Sequence, residues 1–226
     1  MDILKELFAS GASEFYQVLS FERDIFSALG RIGTFTRSFI DTHRDSDEFY
    51  MPCEGVLISR RATVADSALI LPPAVILEGA EIRHGAYIRG NCFIGRGCVV
   101  GNSCELKNCV LFDRACVPHF NYVGDSVLGC GAHLGAGAIT SNLKLDGGEV
   151  TVRIGDALIE TGRRKVGALI GDGAEVGCNS VLNPGTVIGA GATVYPLLSV
   201  RGYVPHRSIL KSMEPYKLAF KEDRSK

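Results

Sequence analysis

One stretch of the chain gathers the residue types that acid–base chemistry requires. Residues 117–146 contain a histidine (His119), an Asn-Tyr pair, a Gly-Ala-Gly-Ala turn and a Thr-Ser-Asn-Leu-Lys run. An imidazole titrates near neutral pH and can therefore take a proton from a reacting group. The stretch also interrupts a regular repeat. Polar side chains at such an interruption predict a catalytic site, and so an enzyme.

A six-residue repeat predicts the elements that position this site. Aliphatic residues recur without a miss at Ile58, Val64, Ile70, Ile76, Ile82, Ile88, Ile94, Val100 and Leu106. A period of six fits neither a helix nor a single strand. It fits a flat-sided coil whose short strands each place one aliphatic residue inward, with a small residue two positions earlier at the corner. The sequence therefore predicts an all-β fold, a parallel β-helix of roughly seven coils.

The repeat loses step beside His119. Leu111 and Val117 come one residue early, and Leu128 comes early by one more. Lost residues of this kind redirect side chains, as a bulge does in a sheet. After Asn142 the repeat stops, and the alternation of residues 150–161 predicts an excursion hairpin within 143–165. The six-residue spacing then resumes from Ile170 to Val200.

The two ends of the chain differ from the repeat. Apolar residues at roughly helical spacing predict two or three helices in residues 1–48, which could pack on this chain or on a partner. We therefore predict a helical segment (1–48), the β-helix (49–205) and a C-terminal tail (206–226) with a short helix over 211–223.

Composition narrows the classes of partner and the cellular setting. The chain has 226 residues, 46% hydrophobic and 22% charged, with a formal net charge of -1. This charge does not favour nucleic acid or an anionic membrane as a partner. The N-terminus lacks a signal pattern, and no apolar run is long enough to span a bilayer. We expect a cytoplasmic protein.

The eight cysteines do not predict disulfides or a zinc site. Cys92, Cys98 and Cys104 occupy the repeat position that alanine fills in earlier coils, as small buried apolar residues do. No CxxC pair is present, so we expect no zinc.

The motifs of the central stretch resemble a known family. They are His119-Phe120-Asn121-Tyr122-Val123-Gly124-Asp125, Gly135-Ala136-Gly137-Ala138-Ile139-Thr140 and Asn142. On a hexapeptide repeat they resemble the left-handed β-helix acyltransferases. Residues 55–205 look most similar to the C-terminal acetyltransferase domain of bifunctional N-acetylglucosamine-1-phosphate uridyltransferases and to related archaeal sugar-1-phosphate enzymes. Residues 1–48 are too few for a nucleotide-binding domain, so we do not expect uridyl transfer by this chain alone.

The resemblance implies a homotrimer that binds acetyl-CoA and an amino-sugar 1-phosphate between neighbouring coils, with no metal required. It implies the following roles: His119 as catalytic base; Arg89, Lys107 and Lys165 on the phosphate; Tyr122 and Asn142 on the sugar; and the amide of Ala136 facing the thioester carbonyl. The competing interpretation of the three cations is ordinary solvated surface charge.

Two residues depart from the family pattern. His133 stands where the family often has asparagine, and could hold the sugar, share the proton or change the acceptor. Cys178 stands where a serine often contacts acetyl-CoA, and a thiol is a weaker hydrogen-bond partner.

The sequence therefore favours N-acetylation of glucosamine or galactosamine 1-phosphate by acetyl-CoA. Two alternatives stay open. One is a non-catalytic scaffold that binds a sugar phosphate for a separate nucleotidyltransferase. The other is acyl transfer to a different acceptor.

Overall fold

The protein is built around a stack of short parallel strands. The computed structural model describes residues 3–9, 11, 13–21 and 25–211. Ile76 pairs with Ile94, and Ile94 with Leu111, so the inward aliphatic residues stack from coil to coil. The inner side chains are almost fully buried. The prediction of an all-β parallel β-helix with a short helical segment is confirmed, and the coil is consistent with the left-handed form.

Three faces make up each coil. The face that we call the covered face contains β2 (Val56–Ser59), β5 (Ala74–Ile76), β8 (Cys92–Ile94), β17 (Ala168–Ile170), β20 (Thr186–Ile188) and β23 (Tyr203–Val204). The site face contains β4 (Leu69–Ile70), β7 (Tyr87–Ile88), β14 (Ile139–Thr140), β19 (Val181–Leu182) and β22 (Ser199–Val200). The outer face contains β3 (Thr63–Val64), β6 (Glu81–Ile82), β9 (Val99–Asn102), β11 (Cys116–His119), β13 (His133–Leu134), β18 (Glu175–Val176), β21 (Thr193–Val194) and β24 (Ile209–Leu210).

Two longer strands join the site face to the covered face. They are β10 (Glu105–Leu111) and β12 (Tyr122–Leu128), and they are the strands in which the repeat loses a residue. Each bends at one residue with a left-handed backbone, Asn108 in β10 and Asp125 in β12, both with φ of 48°. Asparagine and aspartate tolerate this conformation better than most residues. The residue that the repeat loses in each of these strands is therefore lost at a corner of the coil.

The N-terminal helices pack on the covered face of the same chain. They are α1 (Ile3–Leu7), α2 (Tyr16–Phe21) and α3 (Ile32–His43), with a 3₁₀ turn at Ser27–Gly30. The rings of Phe8 and Phe112 lie 5.0 Å apart, as do those of Phe35 and Phe93. The outward apolar residues of β5, β8, β10 and β12 are buried beneath them. The alternative that the sequence left open is thus resolved in favour of packing on this chain.

The remaining elements close the two ends and the excursion. At the first coil β1 (Phe49–Cys53) pairs antiparallel with β2. The excursion forms the hairpin β15 (Thr151–Ile154) and β16 (Ala157–Glu160), with the turn at Gly155-Asp156. Of the helix predicted over 211–223, residues 212–223 lie outside the described residues. Within the described part of the chain, no helix is both long and apolar enough to cross a membrane.

Candidate active site

His119 lies in a column of residues that occupy the same turn in successive coils. The amide of Phe120 donates to the carbonyl of Asn102 at 3.0 Å, and the amide of Gly137 donates to that of His119 at 2.9 Å. One coil further, the amide of Asn179 donates to the carbonyl of Ala136 at 2.9 Å. These bonds place Asn102, His119, Ala136 and Cys178 one below another at one corner, which we call the base corner. The predicted base and both predicted acetyl-CoA contacts therefore share one edge.

Asn121 fixes the backbone of His119 against the next turn. Its side chain is 2% exposed and accepts the His119 amide at 3.0 Å. Its Nδ2 donates to the carbonyls of Gly135 and Ala138 at 2.8 and 3.1 Å. A buried amide with these bonds satisfied makes a rigid support. The His119 residue itself is exposed to solvent, where its imidazole can meet a ligand.

The Ala136 amide occupies a turn position whose N–H meets a carboxylate elsewhere in this fold. In two turns of the same Gly-x-Gly form, the amides of Arg96 and Cys130 donate to the carboxylates of Asp113 and Asp172, at 2.8 and 2.7 Å. This turn position thus presents an N–H to an oxygen anion. Across the described residues, no protein acceptor is recorded for the amide of Ala136. The amide can therefore stabilise a negative oxygen of a ligand.

The cations predicted to bind phosphate stand on the site face, at its end away from the base corner. The amide of Arg89 donates to the carbonyl of Leu106, so Arg89 lies one coil above Lys107. Arg89 forms an ion pair with Glu105 at 2.5 Å, which raises the pKa of the guanidinium. Lys107 lies 3.6 Å from the Asp125 carboxylate. Both cations keep part of their side chains exposed, 41% and 28% respectively, and can take further oxygen partners.

Tyr122 and Asn142 meet on the same face. The Asn142 Nδ2 donates to the Tyr122 hydroxyl oxygen at 3.2 Å and to the Asp125 carboxylate at 2.5 Å. Burial, followed by the Asp125 charge, raises the pKa of Tyr122. The phenol therefore remains protonated across the neutral range and can donate a hydrogen bond. Lys107, Tyr122 and Asn142 form one connected cluster through Asp125.

Among the described residues, Lys165 is linked to this cluster through backbone contacts. It forms an isolated bridge with Leu143, and the amide of Val166 donates to the carbonyl of Asn142 at 3.0 Å. Lys165 is exposed. It thus lies beside Asn142, one of the residues predicted to hold the sugar, at the end of the excursion.

His133 lies on a different face from the rest of the predicted site. It belongs to β13 on the outer face, in register with Cys116 and Glu175. Its Nδ1 is 2.8 Å from the Glu175 carboxylate. Residue 133 precedes the base corner, whereas Tyr122 follows it. The structure therefore does not bring His133 to the Tyr122–Asn142 cluster within this chain.

Sequence reasoning did not assign Asn108 and Asp125 to the site. Their spacing was a usable signal, because Asn91, Asn108, Asp125 and Asn142 follow one another at intervals of 17 residues. A ladder of amide and carboxylate side chains at the length of one coil marks a polar corner. We call this column the Asn/Asp corner; it bounds the site face on the side away from the base corner.

Sequence comparison relates this chain to sugar-phosphate enzymes. A family model described as the GMPPB C-terminal domain matches residues 70–160. The bifunctional sugar-1-phosphate nucleotidylyltransferase/acetyltransferase of Sulfurisphaera tokodaii is 42% identical over 92 residues, which are 41% of this chain and 23% of that protein. The matched stretch of the β-helix is homologous to the C-terminal region of such enzymes. The bifunctional protein GlmU of Methanococcus maripaludis strain C5 is 36% identical over 90 residues, 40% of this chain and 22% of the relative.

Both curated relatives extend far beyond the matched stretch, since it spans less than a quarter of either. Among solved structures, a GDP-perosamine N-acetyltransferase variant from Caulobacter crescentus, in complex with CoA and GDP-perosamine, is 17% identical. That likeness covers 78% of this chain and 60% of the other, with a TM-score of 0.37. The family model covers Arg89, Lys107 and His119–Asn142, and ends before Lys165 and Cys178.

Proposed function

We propose that this protein transfers an acetyl group from acetyl-CoA to the amine of an amino-sugar 1-phosphate, glucosamine 1-phosphate or galactosamine 1-phosphate. The observation that carries the proposal is the exposed His119, held one coil above the Ala136 amide at the edge of a face that bears Arg89 and Lys107. The names of the homologous enzymes, which combine sugar-1-phosphate nucleotidyl transfer with acetyl transfer, support the same reaction class.

In the proposed reaction His119 takes a proton from the substrate ammonium group. The free amine then attacks the thioester carbonyl carbon, and the C–N bond forms as the carbonyl oxygen becomes an oxyanion. The Ala136 amide donates to that oxyanion. Collapse of the tetrahedral species breaks the C–S bond, and the departing CoA thiolate takes the proton held by His119. The nitrogen of the new amide releases its surplus proton to solvent. The products are the N-acetylated sugar phosphate and free CoA.

The remaining residues would bind different parts of the two substrates, according to their charge and hydrogen-bonding groups. Arg89, Lys107 and Lys165 would hold the phosphate, since cations on one face suit a dianion. Tyr122 and Asn142 would hold the sugar hydroxyls. Cys178, exposed one coil below Ala136, would contact acetyl-CoA. The proposal includes a homotrimer, which would place a second copy against these edges.

The test is release of CoA from acetyl-CoA by the unaltered protein with matched acceptors. Glucosamine 1-phosphate and galactosamine 1-phosphate carry an amine, and glucose 1-phosphate is the control that lacks it. We expect CoA release with at least one amino sugar and none above background with glucose 1-phosphate. A blank without acceptor corrects for the protein's own eight cysteines.

Equal release with glucose 1-phosphate would contradict amine acylation and indicate an oxygen acceptor or hydrolysis. Binding of glucosamine 1-phosphate without any CoA release or acetyl-CoA binding would favour the scaffold alternative.

A further inference from the structure

Asp125 is a buried carboxylate at the centre of the cluster that contains Lys107, Tyr122 and Asn142. It is 4% exposed, and burial of a charge is unfavourable unless hydrogen bonds and opposite charges compensate. Its Oδ1 accepts from Asn108 at 2.8 Å, and its Oδ2 accepts from Asn142 at 2.5 Å. Lys107 lies 3.6 Å from the same Oδ2. Three coils therefore converge on this carboxylate.

Asn108 connects the carboxylate to the N-terminal helices. Its Nδ2 donates one hydrogen to Asp125 and the other to the carbonyl of Leu29 at 3.3 Å. Both donors of the amide are thereby used, which fixes the orientation of the Asn108 side chain. On the same column, the Asn91 side chain lies so close to Gly33 that a Cβ there would collide with it. Residues 29–33 thus pack directly against the Asn/Asp corner.

The carboxylate determines which side of the Asn142 amide faces outward. A carboxylate only accepts hydrogen bonds, so Asn142 must direct its NH₂ group toward Asp125. The second hydrogen of that group goes to the Tyr122 oxygen. The Asn142 Oδ1 is then left as an acceptor, and the Tyr122 O–H is left as a donor. Within the described ranges, no protein partner is recorded for either.

We infer that Asp125 and Asn108 are positioning residues, which give the sugar subsite one outward acceptor and one outward donor. The carbonyl of Leu29 anchors the pair, so the N-terminal segment is part of the site's support. A sugar supplies both complementary groups, because a hydroxyl donates and accepts. The inference rests on the proposed function, since it takes Tyr122 and Asn142 as the sugar-binding residues.

The test compares Asn108→Gly and Asp125→Asn with the matched control Asn91→Gly. Glycine adopts a left-handed backbone without strain, so Asn108→Gly removes the side chain and leaves the corner conformation intact. Asn91, with φ of 50°, occupies the same column one coil above, and no bond to Asp125 is recorded for it. Calorimetry gives the affinity of each protein for glucosamine 1-phosphate, for inorganic phosphate and for acetyl-CoA.

The quantity compared is the affinity for glucosamine 1-phosphate divided by the affinity for inorganic phosphate. The division is needed because Asp125→Asn also frees Lys107 to hold phosphate more tightly. In both Asn108→Gly and Asp125→Asn we expect that ratio to fall about tenfold, the scale of one hydrogen bond between neutral groups of the protein and the sugar. Acetyl-CoA affinity and the melting temperature should match those of Asn91→Gly. This separation of ligands would not arise from general loosening of the fold.

Two results would overturn the inference. In one, the unaltered protein binds glucosamine 1-phosphate and both variants keep its affinity ratio. In the other, all three affinities fall together with the melting temperature, which would indicate a structural role. If the unaltered protein binds no sugar phosphate, the proposed function fails, and the inference fails with it. Because binding is measured directly, the test does not depend on turnover.

Discussion

Left-handed corner residues decide how tightly the coil can turn at the site. Asn91, Asn108 and Asp125 adopt positive φ values, and their short polar side chains make that conformation accessible. Phe120 is the exception beside His119, with φ of 52° and a side chain 63% exposed. Leu197, three coils below in the same column, is similar, with φ of 64° and 70% exposure. Neither bulky side chain gains burial in return for the strain.

Replacing Phe120 by asparagine should therefore stabilise the protein. We expect Phe120→Asn to raise the free energy of unfolding by about 1 kcal/mol, because asparagine adopts a left-handed backbone at lower cost. Urea denaturation measures the change, and Leu197→Asn is the matched control. A loss of stability in Phe120→Asn alone would mean that the phenyl ring is packed against something that the exposure does not reveal.

At the scale of the strand, the coil interior explains how cysteine is used. Cys92, Cys98 and Cys104 are buried in the stack of aliphatic side chains, which confirms the sequence-based interpretation of them as small apolar residues. Cys109 is buried against Cys92, with the two sulfurs 3.9 Å apart. Burial raises the pKa of Cys98 and Cys104, so they remain thiols at neutral pH. A thiol is far less nucleophilic than a thiolate.

Thiol titration should consequently divide the eight cysteines into classes. The two exposed residues, Cys53 and Cys178, should react with a disulfide reagent rapidly at pH 8. Burial raises the pKa of the half-buried Cys130 to about 11 and raises that of Cys116, so these two should react slowly. All eight should react in denaturant. Fast reaction of the four buried thiols in the native protein would show that the coil opens readily.

At the scale of the whole molecule, the repeat made the β-helix predictable because every coil contributes inward residues at a fixed interval. The base corner reflects the same regularity, since residues one coil apart share a turn. The docking of the helices could not be predicted, because an apolar helix face fits this chain or a partner equally well. For the same reason the hydrogen bond that Asn108 donates to the Leu29 carbonyl could not be predicted.

Sequence spacing did not show which face of the coil His133 occupies, and it did not show that Asp125 is buried among donors. His133 lies fourteen positions after His119, yet its strand comes before the base corner, so it faces another side of the coil. Asp125 stood in the quoted motif, but its burial depends on donors from β10, from Asn142 and, through Asn108, from the helical segment. Such a network forms only when distant segments meet.

The role of His119 as general base is tested by measuring the acetylated product that His119→Ala forms, with His84→Ala as the matched variant. His84 lies in the base corner column two coils above His119, and Asn102 occupies the coil between them. The amide of Ser103 donates to the His84 carbonyl, which places His84 in this column. Mass spectrometry would quantify N-acetylated sugar phosphate from acetyl-CoA and the amino-sugar acceptor. We predict that His119→Ala lowers the turnover rate by about 10²–10⁴-fold, the usual contribution of a general base, and that His84→Ala keeps it. Full turnover by His119→Ala would show that His119 is not the general base.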